Sequence, residues 1–527
     1  MAPARPIRLV AGFLTVGAWT LGSRVLGFVR DILIAALMGV GPVSEAFLVA
    51  FTLPNLFRRL FAEGAFNTAF VPMFSRKLEG GEDALGFARD AFSGLAAVLV
   101  ALTLIAQAAM PWFVLAMAGG FAGDIRFALA VDFGRIAFGY VILISLAALL
   151  SGLLNATGRF AAAAAAPILL NAILIAALAL AELGPPPAEG DPAGSTHGAW
   201  LSWAVLLAGV AQMGLVWIAA ARAGFRLVPH WPRLTPDLRR LAIVMLPAML
   251  AGGVVQINLL VGRQVASFFE GAIVWLSFAD RLYQLPLGVV GIAIGIVLLP
   301  DLSRRLEAGD GAGGQAALSR AGEIALALTI PSAVALCVIP APLVSVLFER
   351  GAFTADDTAA TALALAAYGV GLPAFVLQKV LQPLYFARAD TRTPFRHALV
   401  AMVVNAAVAI GLASVIGFLG AAIGTTVAAW TMAALLARGT SDMGRVARFD
   451  DRFRARVWRI VLASVAMGAV CWLLALLLGP WLAMAGWRHA ALAVLVLGGI
   501  GSYALIGQAI GAFRLSEFAS ALRRRAG

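Results

Sequence analysis

"PILLNAILIAAL" (residues 167–178) and "LVAMVVNAAVAIGL" (399–412) decide the fold of this 527-residue chain. Each is an apolar run carrying one amide, Asn171 in the first and Asn405 in the second, at an offset of 234. A second pair keeps nearly the same spacing: "VPMFSRKLEGG" begins at Val71 and "LPDLSRRLEAG" at Leu299, 228 residues on. "LNATGRF" (154–160) and "ARADTRTPF" (387–395) fall in the same register. The chain therefore repeats a unit of six apolar runs. Both copies of each motif fall between the same runs, so the two units share one orientation and are related by an axis along the membrane normal.

Working outward, runs of about 20 apolar residues recur along the whole chain, the length needed to cross a bilayer as a helix. Fourteen are predicted: 7–40, 44–76, 86–118, 124–155, 160–182, 197–222, 237–268, 271–303, 316–348, 355–387, 393–416, 418–438, 456–479 and 488–512. The fold class is an all-α polytopic membrane protein. It has an N-terminal six-helix lobe (1–223), a second six-helix lobe (224–450), and two extra helices with a basic tail (451–527). The composition agrees, with 62% hydrophobic and 13% charged residues and a mean hydropathy of +0.94. Continuous rather than alternating apolar runs argue against a β-barrel. The first run lacks a small-residue cleavage site and reads as an uncleaved helix. Cys337 and Cys471 both sit in apolar runs, so no disulfide framework is implied.

The net charge of +12 sits in short loops and does not point to nucleic acid. One set of alternate loops holds Arg76 and Lys77, Arg159, Arg222 to Arg240, Arg304 and Arg305, Arg388 to Arg396, and Arg438 to Arg448. The other set is nearly free of basic residues. The positive-inside rule then places both termini in the cytoplasm.

Charge also interrupts the runs themselves. At 1.5 Å per residue, Arg24 lies about 24 Å below the turn at "GVGPVS" (39–44), Arg30 and Asp31 about 14 Å, Arg58 about 20 Å and Arg281 about 15 Å below their own helix starts. Arg24 and Asp31 are seven residues apart and share a face, whereas Arg30 points about 120° away from Arg24. Arg24, Arg30, Arg58, Arg59 and Arg281 exceed the nearby acids Asp31, Glu63 and Asp280 by two. A charge at the bilayer centre costs at least about 2.5 kcal/mol. The surplus therefore calls for a watery cavity and an anionic partner, and the arginine fork matches phosphate. The alternative is mutual pairing or snorkelling to the interface. Arg59 and Glu63 are spaced as an i,i+4 pair. Lys379 either snorkels or lines the cavity. Asp132 and Arg135 are expected to pair locally. Glu45 begins its helix, either as a dipole partner or as part of an outer gate. The four histidines show no metal-ligand spacing, and no nucleotide-binding or hydrolase motif is present.

"SRVLGFVRD" (23–31), "AFLVAFTLPNLFRRLFAEGAFNTAFVPMFS" (46–75) and "ADRLYQLPLGVVGIAIGIVLLPDLS" (279–303) resemble the MurJ (MviN) family of lipid II flippases, within the multidrug/oligosaccharidyl-lipid/polysaccharide exporter superfamily. The resemblance covers nearly the whole chain. It implies a transporter rather than an enzyme, in the bacterial inner membrane, that moves undecaprenyl-diphosphate-linked peptidoglycan precursor between leaflets. It assigns substrate binding to Ser23, Arg24, Arg30, Asp31, Arg58 and Arg281, and an outer gate to Glu45 where the family usually has aspartate. Asn55, Glu63, Asp280 and Lys379 are supporting candidates. A family position that is often acidic falls on Gln284. Some members carry a sodium site with carboxylates in helices 7 and 11. Here those helices offer Gln256, Asn258 and Asn405, so membrane potential is the expected drive and no cofactor is implied. The last two helices correspond to the family's groove for the polyprenyl tail. Lipid II and membrane lipids are the implied partners, with cell-wall synthases as further candidates. The rival readings are a flippase for another polyprenyl-diphosphate glycan, a multidrug exporter, an enzyme acting on polyprenyl lipids, and a non-transporting scaffold. An exporter of cationic drugs would want cavity carboxylates rather than surplus arginine, and a lipid enzyme would need a catalytic constellation that the sequence lacks.

Overall fold

A computed structural model of the protein describes residues 9–59, 66–184, 192 and 194–513. Regular structure among them is helical. The chain runs α1 (Leu9–Met38), α2 (Pro42–Arg58), α3 (Phe66–Glu79), α4 (Ala84–Met117), α5 (Ile125–Phe138), α6 (Tyr140–Ala156), α7 (Ala161–Glu182), α8 (Ser195–Arg222) and α9 (Pro236–Ala266). It continues through α10 (Ala272–Glu307), α11 (Gly311–Val338), α12 (Pro340–Phe348), α13 (Ala355–Phe386), α14 (Arg392–Ile416) and α15 (Leu419–Gly439) to α16 (Asp451–Leu477), α17 (Gly479–Ala483) and α18 (Arg488–Ala509).

Ten stretches of the described chain are helical, long enough and apolar enough to cross a membrane. The predicted spans 7–40, 44–76, 237–268 and 271–303 coincide with α1, α2 with α3, α9 and α10. Two further predicted single spans are each a pair of helices. One breaks at Gly139, between α5 and α6, and the other at Ile339, between α11 and α12. The second break has a clear cause. Pro340 opens α12, and a proline disfavours helical backbone at the residue before it. Ile339 accordingly sits at φ −124, ψ 40. The helix flanks are apolar and open: Leu104 and Ile105 on α4 and Leu462 and Val465 on α16 are all at least 60% exposed. Such surface is stable against lipid, where apolar side chains carry no penalty, rather than in water.

The chain forms two units. The first comprises Met1–Val274 with Arg350–Phe353. In it α7 packs on α1 and α8, α8 on α6, α2 on α5, and α9 on α3 and α4. Gly39 ends α1 with φ +60, and a Cβ there would lie 2.4 Å from the Ala352 carbonyl oxygen. The Ala352 amide donates to the Ala36 carbonyl at 2.8 Å. Only glycine combines that backbone with that approach.

The second unit comprises Trp275–Glu349 with Thr354–Gly527. Here α14 packs on α15 and α15 on α13, the same neighbour order as α7, α8 and α6. The paired amides of the repeat, Asn171 and Asn405, are both buried. α16 lies on α11 and α18 on α16, through a core that includes Ile339, Val346, Met467, Cys471, Leu492 and Leu495. A polar rivet joins the same helices: the buried Glu323 of α11 accepts from Arg320 at 2.7 Å and from Arg456 of α16 at 3.0 Å. The expected pairing of Asp132 with Arg135 does not form. Both residues are exposed, and the Arg135 side chain instead donates to the Gln107 carbonyl of α4 at 3.4 Å, while the Gln107 amide donates to the Arg135 carbonyl at 2.7 Å.

Candidate functional site

The charged residues of α1 fall on two faces with different fates. Arg30 and Asp31 are 7% and 5% exposed and face each other as neighbours. Arg30 donates from Nε and Nη2 to Asp31 Oδ1 at 3.1 and 2.7 Å. Its Nη1 donates to Asn171 Oδ1 of α7 at 3.0 Å. The Asn171 amide in turn donates to the Ser23 carbonyl at 2.9 Å and approaches the Ser23 hydroxyl at 3.4 Å. The guanidinium lies 5.8 Å from the centre of the Phe51 ring of α2. A buried charge pair is tolerated only when it is both matched and hydrogen-bonded. Asp31 supplies the match, and Asn171 fastens the pair to the neighbouring helix. Asp31 therefore serves Arg30, not Arg24, with which helical spacing had grouped it.

Arg24 is exposed and has no ion pair among the described residues. Arg58, in the last turn of α2, is half-buried and directs Nε at Asn55 Oδ1, 3.4 Å away. Asn55 is itself oriented by donating to the Phe51 carbonyl one turn back at 2.9 Å. Glu63 lies outside the described residues. Sequence reasoning missed Arg263 of α9, which donates to the Leu48 carbonyl at 3.3 Å and to the Thr52 hydroxyl of α2. In "LLVGRQVAS" nothing but its charge within an apolar run marks it.

The gate candidate Glu45 is fully buried in the first turn of α2. Its Oε2 accepts from Arg126 Nη1 at 3.0 Å, and its Oε1 from the Ile273 amide at 3.3 Å. Ile273 lies in the first turn of α10, where helix amides are unpaired and carry partial positive charge. Arg126 is also bound to Asp124 at 2.6 Å and lies 4.5 Å from the Phe121 ring centre. The turn before α5 is docked tightly on the end of α9. Gly119 donates to Gln264 Oε1 and Gly120 to the Ser267 hydroxyl, both at 2.9 Å. A Cβ on Gly120 would sit 2.4 Å from the Ser267 carbonyl. Glu45 is thus a helix-start carboxylate and a tertiary anchor at once. Its cation, Arg126, sits in "GDIRFALA", where Asp-x-Arg before an apolar run resembles ordinary loop charge.

The remaining candidates lie in the second unit. Asp280 and Arg281 are half-buried on α10, and the Asp280 carboxylate accepts from the Gln284 amide one turn on. Tyr283, beside them, is buried with ring contacts to Tyr368 and Phe375 of α13 at 5.7 and 5.6 Å. Lys379 is exposed on α13. Among the described residues no three histidine, cysteine or carboxylate side chains converge as a metal site.

The family described as lipid II flippase MurJ matches residues 34–490. The match takes in Glu45, Arg58 and Arg281 and begins just after the Ser23–Asp31 segment. The chain is 46% identical to the probable lipid II flippase MurJ of Rhizobium meliloti (strain 1021), over 88% of this chain and 86% of that protein. It is 35% identical to the lipid II flippase MurJ of Burkholderia cenocepacia, over 88% and 90% of the two chains. Among solved structures, lipid II flippase MurJ in an inward closed conformation superposes with a TM-score of 0.77 at 25% identity, covering 94% of this chain and 98% of that one. An inward-facing multidrug resistance transporter of the MATE family shares the fold, with a TM-score of 0.61 at 16% identity over 83% and 95% of the two chains. Family and span-length helices together make this a multi-pass protein of the bacterial inner membrane. The chain belongs to the lipid II flippase MurJ family, which is a family of transporters and not of enzymes.

Proposed function

We propose that this protein flips lipid II from the inner to the outer leaflet by alternating access, with its diphosphate held by cavity arginines. The observation that carries the reading is the division of labour on α1. Arg30 is neutralised by Asp31 within a buried pair, while Arg24 on the same helix stays exposed with no ion pair among the described residues. A cation left open on a helix set in an apolar environment is favourable only where water and an anion reach it. Arg24, Arg58 and Arg281 supply the diphosphate contacts, and Ser23, Arg30 and Asp31 shape the wall beside them. Asn55 orients Arg58, while Asp280, Lys379 and Glu63 are supporting charges. Glu45 belongs to the outer gate.

Both termini lie in the cytoplasm, in keeping with the basic loops. The drive is membrane potential, worth about 2.3 kcal/mol per charge per 100 mV. α14 carries no carboxylate and α9 has only Asp237 in its first turn, which supports a cycle without sodium. Cell-wall synthases are the natural recipients of the flipped lipid. The state that binds the diphosphate more tightly is the one the ligand populates, and release on the far side resets the cycle.

The test is labelling of lipid II at the outer leaflet in cells depleted of their own flippase and expressing this chain. Restored labelling by the wild type, absent in equally abundant Arg24→Ala and Arg58→Ala variants, supports substrate and clamp together. Restoration by all three discards the clamp, and restoration by none moves the substrate to another polyprenyl-diphosphate glycan.

A further inference from the structure

The segment joining α8 to α9 has a composition that neither the transport cycle nor the core explains. Residues 223–235 run without helix directly after the span-length α8. The segment is fixed to α4: Arg89 donates to the Arg226 carbonyl at 3.2 Å, and the His230 amide donates to the Ser93 hydroxyl at 3.2 Å. What it and the first turns of α9 present outward is both apolar and basic. Trp231 and Leu234 are 90% and 85% exposed, and Val228 and Ile243 are each more than 60% exposed. Arg226, Arg233, Arg239 and Arg240 are interleaved with them and exposed.

The local carboxylates are already engaged. Asp90 faces His230 Nε2 at 3.1 Å. Glu82 and Asp237 both hold Lys77, at 2.7 and 3.0 Å. Hydrogen bonds to Glu82 and Asp237 keep the Lys77 ammonium above the usual lysine range. The four arginines have no ion pair among the described residues. Two of them, Arg239 and Arg240, line a cavity of about 360 Å³ with Leu234, Thr235, Pro236 and Ile243.

We propose that this cavity and the strap leading to it bind the headgroup of an anionic phospholipid. The guanidinium groups and the Thr235 hydroxyl take the phosphate, and Leu234 and Ile243 take the start of the acyl chains. Trp231 seats the strap at the level where an amphipathic ring is most stable, the membrane–water interface. A free phosphate ion shares the first part of this chemistry but leaves the apolar shoulders bare, and an acidic protein segment would not favour the bilayer level that Trp231 marks. Juxtamembrane arginines are attracted to anionic lipid with an energy that corresponds to roughly fivefold in affinity per residue.

The test uses the full chain in neutral detergent, in a Cys337→Ser/Cys471→Ser background, with an environment-sensitive fluorophore on Val228→Cys. Phosphatidylglycerol is titrated against phosphatidylcholine, inorganic phosphate and a poly-glutamate peptide. The expected result is a saturable blue shift with phosphatidylglycerol alone. In an Arg239→Gln/Arg240→Gln variant the half-saturating lipid rises at least about tenfold. An Arg233→Gln variant, further from the cavity, shifts it less. These arginines are exposed, so the thermal midpoint of each variant should match the parent and separates lost binding from lost fold. An equal shift with phosphatidylcholine, no shift with phosphatidylglycerol, or a double variant that titrates like the parent overturns the proposal. Saturation by inorganic phosphate alone replaces the lipid with a free anion, and a stronger response to the peptide replaces it with a protein partner.

Discussion

Glu45 and Arg126, 81 residues apart in the chain, meet at 3.0 Å with the carboxylate fully buried. The contact ties the start of α2 to the start of α5, and through the Ile273 amide to the start of α10. Three helix starts thus converge on one carboxylate. Burial makes the Glu45 carboxylate dependent on Arg126, since the penalty for an unpaired charge at such a site exceeds the worth of the pair.

Removing Arg126 alone should therefore be worse than removing both, whereas Glu45→Gln alone leaves Arg126 its second carboxylate, Asp124, at 2.6 Å. Arg126→Gln strands Glu45 and is expected to lose about 3–5 kcal/mol of stability. The Glu45→Gln/Arg126→Gln double variant should recover a good part of that. Unfolding of the four species in detergent gives the cycle. Simple additivity of the single losses would show that the pair is not coupled.

Asn171 carries two hydrogen-bond roles, accepting from Arg30 and donating to Ser23. Asn171→Leu keeps the volume but leaves Arg30 Nη1 without its partner on α7. A loss of about 1–3 kcal/mol is expected, the range for a buried polar group left unsatisfied. The thermal midpoint measures it, and an unchanged midpoint would mean that Arg30 finds another acceptor at once.

Arg24 and Arg30 should separate function from folding. Arg24→Ala is predicted to leave the midpoint unchanged while abolishing outer-leaflet labelling of lipid II. Arg30→Ala is predicted to lower both, since it strips Asp31 of its cation. Equal loss of stability in the two variants would contradict the two-face description of α1.

Gly39→Ala adds a methyl group where φ is +60 and the Ala352 carbonyl is 2.4 Å away. Strain and overlap together are expected to destabilise the first unit by more than about 1 kcal/mol. Ala352→Gly does not move that carbonyl and should not rescue it. Thermal unfolding of the single and double variants decides between overlap with backbone and overlap with the Ala352 side chain.

Glu323 receives Arg320 and Arg456 at 3.0 Å or less, with Arg452 at 3.5 Å. Glu323→Ala should loosen α16 from α11 and raise cleavage between 439 and 451 under limited proteolysis. An unchanged cleavage rate would show that the apolar core between these helices suffices.

By itself the sequence determined the helical membrane architecture, the doubling of the six-run unit and the places where charge enters the runs. Those properties are written in hydropathy and period, which are local and survive without knowledge of neighbours. It also marked Glu45, Arg58 and Arg281 through the motifs that carry them. Which charges satisfy one another was decided only by tertiary structure. Helical spacing put Asp31 with Arg24, yet the packing of α7 against α1 delivered Asn171 to Arg30 and left Asp31 as Arg30's counter-ion. The same holds for Arg126 and Arg263, whose partners on α2 lie 81 and 211 residues away. A charge in an apolar run announces that it needs a partner, but the partner's identity depends on which helix faces it, and that is settled by how whole helix surfaces pack.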